Sequence, residues 1–342
     1  MNEYLALALS AILSFAISFA LGFAVIPWLR KLKFGQTILE EGPVWHKSKQ
    51  GTPTMGGIMF IISTIISTVA VLVTDYLAGG RLFASGSVID SQMKVKLVAG
   101  VVLALGFGII GFADDYIKVV KKRNLGLTVI QKTAAQFVLM IAYLLTLTLN
   151  GLTYIKIPFL GAVDLSWFSW IFGICVIYGT VNAVNFTDGI DGLCAGVTSI
   201  TAIAFVVAAL MSKYFGISIL ASALFGGCVG YLIWNYYPAK VMMGDTGSMF
   251  LGGLVVALAY AIDCPLILLL FGILYVIEGL SDVLQIGYFK ITHGKRIFKM
   301  APIHHHFEMC GWKERKIVTV FSLVNLLGCV IGLVLYYFGI VK

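Results

Sequence analysis

The chain has 342 residues, of which 60% are hydrophobic and only 12% are charged, and its formal net charge is +8. This composition excludes an ordinary soluble domain, because apolar runs of about 20 residues, each long enough to cross a ~30 Å hydrocarbon core, recur along the chain. Backbone polar groups in lipid must be satisfied within the segment, so these runs predict helices rather than the short alternating segments of a β-barrel.

Ten membrane spans are predicted, and a very short turn at Asp263–Pro265 joins the eighth to the ninth. The first lacks a basic start and a small-residue cleavage site, so it is predicted to be a membrane helix and not a signal peptide. Residues 150–165 alternate in polarity and predict a small external hairpin. We expect an all-α polytopic membrane protein with one domain over residues 1–342. The spans are 4–29, 56–76, 94–113, 129–149, 166–184, 193–211, 217–236, 249–263, 265–287 and 317–339.

The basic residues predict the orientation of the spans. One set of loops carries about 18 of the 24 Lys and Arg, and the other set carries about six. The positive-inside rule makes the basic set cytoplasmic and both termini external. The charge either sets topology alone or also attracts anionic lipid or substrate. The basic loops are Arg30–Lys49, Asp114–Lys132, Asn185–Asp191, Tyr237–Ser248 and Tyr288–Lys316.

Five aspartates are predicted at the cytoplasmic ends of spans, where charged groups are candidates for function. Asp114 and Asp115 directly follow the third span, Asp188 and Asp191 follow the fifth, and Asp245 follows the seventh. Each could instead cap a helix or pair with a lysine. The adjacent pair is harder to explain that way, because neighbouring carboxylates repel unless a cation or a proton lies between them.

The glycine-rich surroundings of these aspartates favour phosphate chemistry. Asp188, Asp191 and Asp245 lie in turns in which backbone N–H groups can approach an anion. Carboxylates together with lysines and backbone donors are the parts of a Mg²⁺-assisted phosphoryl-transfer site. The six cysteines are scattered without a CxxC pair, which indicates neither a disulfide framework nor a zinc site.

Three adjacent histidines, His304, His305 and His306, lie in a basic stretch on the same predicted face. A zinc site is rarely built from adjacent residues in one loop, and no cysteine accompanies them. Hydrogen bonding to phosphate, or proton transfer, fits the triplet better, and a plain loop role is the alternative.

These residues together resemble the phospho-N-acetylmuramoyl-pentapeptide transferase family, within the superfamily of polyprenyl-phosphate N-acetylhexosamine-1-phosphate transferases. The similarity runs from end to end of the chain, and the motifs occur in the family's order. The Gly51–Gly57 run, Gly-Thr-Pro-Thr-Met-Gly-Gly, and the uninterrupted His triplet favour the muramoyl-pentapeptide branch. The other motifs are the Asp114-Asp115 pair, Asn182–Gly192, Asn235 with Pro238–Lys240, Met243–Ser248 and Lys295–His306.

The resemblance implies ten helices around a cytoplasmic-facing cleft, a ninth helix that is bent or broken, and a homodimer. It implies transfer of phospho-N-acetylmuramoyl-pentapeptide from its UDP carrier to undecaprenyl phosphate in the bacterial cytoplasmic membrane, with Mg²⁺ as cofactor and release of UMP. No nucleic-acid partner is expected. A single displacement and a two-step route through an aspartyl phosphate both remain open.

The resemblance also implies roles for individual residues. Asp245 is the principal Mg²⁺ ligand, with Asn185 in its shell, and Asp114 and Asp115 hold the lipid phosphate, Asp114 keeping it deprotonated. Lysines neutralise phosphate charge, and Asp188, Asp191 and Asn235 read the uridine end. Gln285 and the histidines close the site, with His304 nearest the metal. The remaining residues expected to bind substrate are Lys49, Thr54, Lys118, Lys122 and Met242.

Two positions depart from the family pattern. Met242 stands where the family usually has a Phe that is expected to stack on the uracil, and Asp282 stands where it has an apolar residue. A cytoplasmic Lys or Arg is the expected partner of Asp282. Two rival functions remain: a sister transferase that uses UDP-N-acetylglucosamine, and a transporter or flippase of lipid-linked glycans. The second is disfavoured because no internal repeat is found and the acids cluster on one face.

Overall fold

A computed structural model of the chain describes residues 2–32, 49, 51–80, 88–120 and 126–342. Nine of its helices are long and apolar enough to cross a membrane, and a bent pair in this described part makes a tenth span. The protein is therefore a multi-pass membrane protein, as predicted. The helices are α1 Glu3–Lys31, α2 Ile58–Leu77, α3 Val88–Val120, α4 Val129–Leu149, α5 Phe168–Thr187, α6 Leu193–Met211, α7 Phe215–Asn235, α8 Gly244–Ala261, α9 Leu268–Phe271, α10 Ile273–Ile291, α11 Ile303–Met309 and α12 Glu314–Tyr336.

The predicted ninth span is broken, as the resemblance implied. Residues Pro265–Phe271, a 3-10 turn followed by α9, meet α10 at an angle of 87°. Gly272 lies at the break and precedes the first residue of α10. Thr201 Oγ1 and Asn325 Nδ2 donate to the carbonyl of Phe271, at 2.7 and 3.3 Å. Neighbouring helices thus satisfy a carbonyl at the break, which lipid could not do.

The predicted hairpin forms strands β1 Tyr154–Ile157 and β2 Gly161–Asp164, which pair antiparallel. The amide of Lys156 donates to the carbonyl of Asp263 at 2.6 Å, so the hairpin is attached to the end of α8. The buried side chain of Asp263 accepts from Tyr214 at 3.0 Å and pairs with Lys96. This polar cluster lies at the opposite end of α8 from Asp245.

Helix α8 is the centre of the bundle, because 89% of its residues are buried. Small residues let its neighbours approach closely, as is usual between membrane helices. A Cβ on Gly100 of α3 would lie 2.8 Å from Ala257 Cβ, and a Cβ on Gly252 of α8 would lie 2.7 Å from Val181 Cα of α5. The ends of α3, α5 and α8 are thereby brought to one place.

The predicted end of α3 and the predicted start of α8 were wrong, and both bear on the site. Helix α3 runs to Val120, so Asp114 and Asp115 lie inside it rather than after it. Helix α8 begins at Gly244 rather than at 249, so Asp245 lies in the first turn of a helix and not in a free turn. The polar residues in these helix ends had hidden the boundaries, since an apolar run marks only the part of a helix that lies in lipid.

Candidate active site

Three carboxylates meet where the end of α3 packs against the start of α8. One oxygen from each of Asp114, Asp115 and Asp245 lies within 4.8 Å of the other two. Asp114 and Asp115 are each 3% exposed, so their charges are shielded from water. Carboxylates this close repel one another unless cations lie among them. The arrangement is therefore a candidate cation site.

Two lysines supply positive charge to the carboxylate cluster. Lys118 Nζ lies 2.6 Å from Asp114, 3.2 Å from Asp245 and 4.0 Å from Asp115. Lys132, in the first turns of α4, lies 2.8 Å from Asp245. Lys118 was expected in the site, whereas Lys132 was not singled out. Its place in a basic loop next to Thr128, which caps α4, was the only signal in the sequence.

Asp115 is fixed by the first turn of α8. Its Oδ2 accepts from the Thr246 amide at 2.9 Å and from the Thr246 hydroxyl at 2.7 Å, and its Oδ1 accepts from the Asp245 amide at 3.3 Å. Unpaired N–H groups at a helix start favour an anion there. Gly244 has φ of 70°, and a Cβ on it would lie 2.5 Å from Asp115 Oδ2 and 2.6 Å from Thr54 Oγ1. The site therefore requires glycine at 244, and Thr54 lies beside it.

Asp114 and Asn185 complete this group. Asp114 Oδ1 accepts from the Leu127 amide at 2.8 Å, which ties the start of α4 to α3. Asn185 of α5 donates through Nδ2 to Asp245 Oδ1 at 3.0 Å and to Ser248 Oγ at 2.7 Å. The resemblance implied Asn185 in the shell of a metal held by Asp245, and the structure places the Asn185 amide beside that carboxylate. Lys122, also expected here, lies outside the described residues.

A second polar group surrounds Asp191. Lys49 Nζ lies 2.7 Å from Asp191 Oδ1 and 2.7 Å from Glu314 Oε2. The Ala239 amide donates to Asp191 Oδ2 at 2.9 Å. Burial lowers the pKa of Lys49, but the two carboxylates outweigh it and hold that pKa above its usual value. Lys49 thus pairs with acids rather than standing free for phosphate, and Glu314 is a partner that the sequence did not indicate.

Asp188 lies in the turn between α5 and α6. Its pKa is well above the usual value because burial disfavours the charge and the carboxylates of Asp245 and Asp115 repel it. In the same turn the Gly192 amide donates to Asn235 Oδ1 at 3.1 Å, while Asn235 Nδ2 donates to the Val241 carbonyl at 2.9 Å. Asn235 is therefore held by backbone groups on both sides.

The histidines lie in a short helix, α11, and not in a loop. They have separate partners. His304 is fully buried, and its Nδ1 lies 2.9 Å from Glu278 Oε2 of α10. His305 Nδ1 lies 2.6 Å from Glu308 Oε2, and His306 Nδ1 accepts from the Lys299 amide at 3.1 Å. The three histidines therefore have different surroundings and do not form a single set of equivalent groups.

Gln285 supports the segment that carries the histidines. Its Oε1 accepts from the amides of Ile297 and Phe298, at 3.1 and 3.0 Å, and its Nε2 donates to the Phe298 carbonyl at 3.1 Å. In this arrangement all its polar atoms bind the connection from α10 to α11.

Known proteins match this chain over nearly its whole length. The protein named phospho-N-acetylmuramoyl-pentapeptide-transferase from Halalkalibacterium halodurans is 44% identical to this chain, over 96% of this chain and 97% of that protein. The one from Acetivibrio thermocellus is 45% identical over 94% and 92%. One from Listeria monocytogenes serotype 4b is 45% identical over 92% and 93%. The chain belongs to this transferase family.

Two family patterns coincide with the site. The pattern described as Glycosyl transferase family 4 matches residues 97–263, which include all three clustered aspartates. The first signature of phospho-N-acetylmuramoyl-pentapeptide-transferase matches residues 49–61, which include Lys49 and Thr54. The backbone of this signature segment contacts the residues that precede α8, since the Gly56 amide donates to the Met242 carbonyl at 2.9 Å.

The two departures from the family pattern have different surroundings. Met242 is 5% exposed, and its Sδ lies 3.9 Å from Asn235 Nδ2. Asp282 lies on α10, one turn after Glu278. Within the described part of the chain no Lys or Arg pairs with Asp282, so the expected basic partner is not seen there.

Proposed function

We propose that this chain transfers phospho-N-acetylmuramoyl-pentapeptide from UDP-N-acetylmuramoyl-pentapeptide to undecaprenyl phosphate, giving lipid I and UMP in peptidoglycan synthesis. An oxygen of the acceptor phosphate forms a bond to the β-phosphorus of the UDP substrate. The bond from that phosphorus to the bridging oxygen breaks, and the electron pair leaves with UMP. The carboxylate cluster with its two lysines carries this proposal, because catalysis of such a transfer is mainly positioning and charge neutralisation.

The donor set of the cluster suits Mg²⁺. All its ligand atoms are oxygens, which hard cations prefer, and the absence of a Cys or His within the group argues against zinc. The Lys118 ammonium, within 4.0 Å of all three carboxylates, supports the fit because it shows that a cation is stabilised there. Asp245 is the principal ligand, with Asn185 beside it. When bound, Mg²⁺ supplies positive charge that neutralises phosphate oxygens.

We favour a single displacement, in which Asp114 acts as a base, over an aspartyl phosphate on Asp115. Both oxygens of Asp115 accept bonds from the first turn of α8, and both oxygens of Asp114 are engaged, by the Leu127 amide and by Lys118. Both oxygens of Asp115 are held by donors of the first turn of α8, so Asp115 is not assigned as a nucleophile, whereas Asp114 Oδ2 pairs with the partly exposed Lys118 side chain and can accept a proton when that side chain moves. We assign Asp114 to keeping the acceptor phosphate deprotonated, and Asp115 to holding the start of α8 in place.

We assign the Asp191 group to the nucleotide. Asp191 and Asn235 fix the turn after α5, and Asp188 lies in that turn between them and the carboxylate cluster. Lys49 neutralises Asp191 and Glu314, at 2.7 Å from each, and so helps to hold Asp191 beside the turn. The positive-inside rule supports a cytoplasmic site, since the lysines of both groups lie in the basic set of loops. We also propose a homodimer, which native mass measurement in lipid nanodiscs would test.

The test is UMP release by purified protein with undecaprenyl phosphate, Mg²⁺ and each UDP-sugar in turn. Release with the muramoyl-pentapeptide donor alone supports the proposal. Release only with UDP-N-acetylglucosamine would indicate the sister transferase, and movement of labelled lipid across vesicles without UMP release would indicate a flippase. Asp164→Asn on the hairpin is the matched control for Asp245→Asn, because Asp164 is exposed and its side chain accepts from Thr153 and Ser166, which flank the two strands.

A further inference from the structure

Glu278 is a fully buried acid in a membrane helix that none of the roles above uses. It and His304 are both 0% exposed, and Glu278 Oε2 lies 2.9 Å from His304 Nδ1. An ionisable group in such a position is costly and is retained where it has a task. The bond joins α10 to α11 across 26 residues of sequence.

The bond to Nδ1 determines where the other ring nitrogen points. A Cβ built on Gly189 would lie 2.1 Å from His304 Nε2 and 2.6 Å from Cε1. The ring edge therefore lies directly against the backbone of the turn that holds Asp188 and Asp191. Nε2 of His304 and Oε1 of Glu278 are buried, and neither has a hydrogen-bond partner among the residues that the structure describes. A buried polar atom of this kind needs a partner, such as a water or a substrate group.

Ser281 provides a second attachment of α11 to α10, in addition to the bond between Glu278 and His304. Its hydroxyl donates to the Glu278 carbonyl at 2.7 Å and accepts from the Ile303 amide at 3.0 Å. The residue before His304 is thus fixed to α10 independently of the ring. His305 pairs instead with Glu308, three residues along the same helix.

We propose that Glu278 is a positioning residue. It holds the His304 imidazole by Nδ1, so that Nε2 is the nitrogen presented across Gly189 to the substrate-reading turn. A carboxylate that orients a histidine by its second nitrogen is a recurring arrangement in active sites. Gly189 is the complementary requirement, because any side chain there would occupy the place of the ring. One part of this inference rests on the proposed function, namely the identity of the substrate group that Nε2 contacts.

The first experiment is a double-mutant cycle on turnover. Glu278→Ala should lower kcat by about 10–100-fold, the usual loss when such an orienting partner is removed. In a His304→Ala background the same change should cost less than threefold, since Glu278 acts through the ring. Glu278→Gln keeps an acceptor for Nδ1–H and should recover most of the activity. Glu308→Gln, which alters the neighbouring His–Glu pair, is the matched control. Its effect on kcat should be the same with and without the His304 side chain.

The second experiment needs no activity. Gly189→Ala should lower the Tm of the otherwise unchanged protein, because the methyl group and the ring cannot both fit. In the His304→Ala background the methyl group enters the vacated space, and the same change should leave Tm unaltered or higher. Equal losses of kcat from Glu278→Ala with and without His304, failure of Gln to restore activity, or an equal fall in Tm in both backgrounds would each overturn the inference. If wild type releases no UMP, the proposed function fails while the Tm coupling still tests the contact.

Discussion

Gly111 in α3 is the point at which the carboxylate cluster depends most directly on helix packing. A Cβ on Gly111 would lie 2.1 Å from the Asp245 carbonyl oxygen, 2.4 Å from its carbonyl carbon and 2.7 Å from the Thr246 amide nitrogen. All three are backbone atoms of α8, so no side-chain rotation can make room. An ordinary contact begins near 3.4 Å. Gly111→Ala must therefore move α3 and α8 apart by about 1.3 Å at the cluster.

This displacement should affect turnover more than stability. Overpacking costs about 1–3 kcal/mol, and the better helix propensity of Ala returns up to about 1 kcal/mol, so the net destabilisation should be about 0–3 kcal/mol. Asp114 and Asp115 lie on the same helix as the new methyl group and Asp245 lies on the other. A misplacement of about 1 Å between catalytic groups costs about 100-fold in rate. We therefore expect kcat about 100-fold below wild type in a protein that still folds.

UMP release measures the rate, and thermal unfolding in detergent measures the stability. Gly179→Ala in α5 is the matched control. It places the same methyl group on a helical glycine, and a Cβ at that position would meet no atom of another part of the chain within 4 Å. That variant should keep wild-type kcat and an equal or higher Tm. Wild-type kcat in Gly111→Ala would refute the reasoning, since it would mean that the separation of α3 from α8 does not set the geometry of the cluster.

Three further outcomes are expected. Asp245→Asn should abolish turnover and weaken its dependence on Mg²⁺, because a neutral amide is a poor ligand for a hard cation; wild-type activity at low Mg²⁺ would contradict the metal assignment. Asp114→Asn should lower kcat far more than the affinity for the UDP substrate measured by calorimetry, and loss of affinity with intact kcat would move Asp114 to nucleotide recognition. Asp188→Asn should gain Tm relative to wild type as pH rises above about 4. The raised pKa of Asp188 means that the folded protein keeps a proton that the unfolded chain releases, so wild type loses stability over that range while the variant cannot. A Tm difference that stays constant from pH 4 to 8 would show that Asp188 does not titrate in this way.

The spans and the candidate residues could be predicted from the sequence because each depends on local properties. The thickness of the hydrocarbon core sets the length of an apolar run, so ten spans, including the broken ninth, were recognisable. Alternation and turn residues marked the hairpin at 150–165. The Asp114-Asp115 pair and Asp245 drew attention as acids at span ends. The Gly51–Gly57 run and the order of the motifs supplied the resemblance that the relatives confirm.

The tertiary structure alone decided which of these groups meet. Lys132 reaches Asp245 across 113 residues, Glu314 reaches Lys49 across 265, and Glu278 reaches His304 across 26. None of these partners stood out, because a single lysine or glutamate near a helix end has many possible neighbours. Three histidines that look equivalent in sequence acquire different roles, since successive residues of a helix point in different directions. The close approach of α3 to α8 at Gly111 also has no local signature. It follows from packing small residues along two whole helices, which places the first turn of α8 against the last turns of α3.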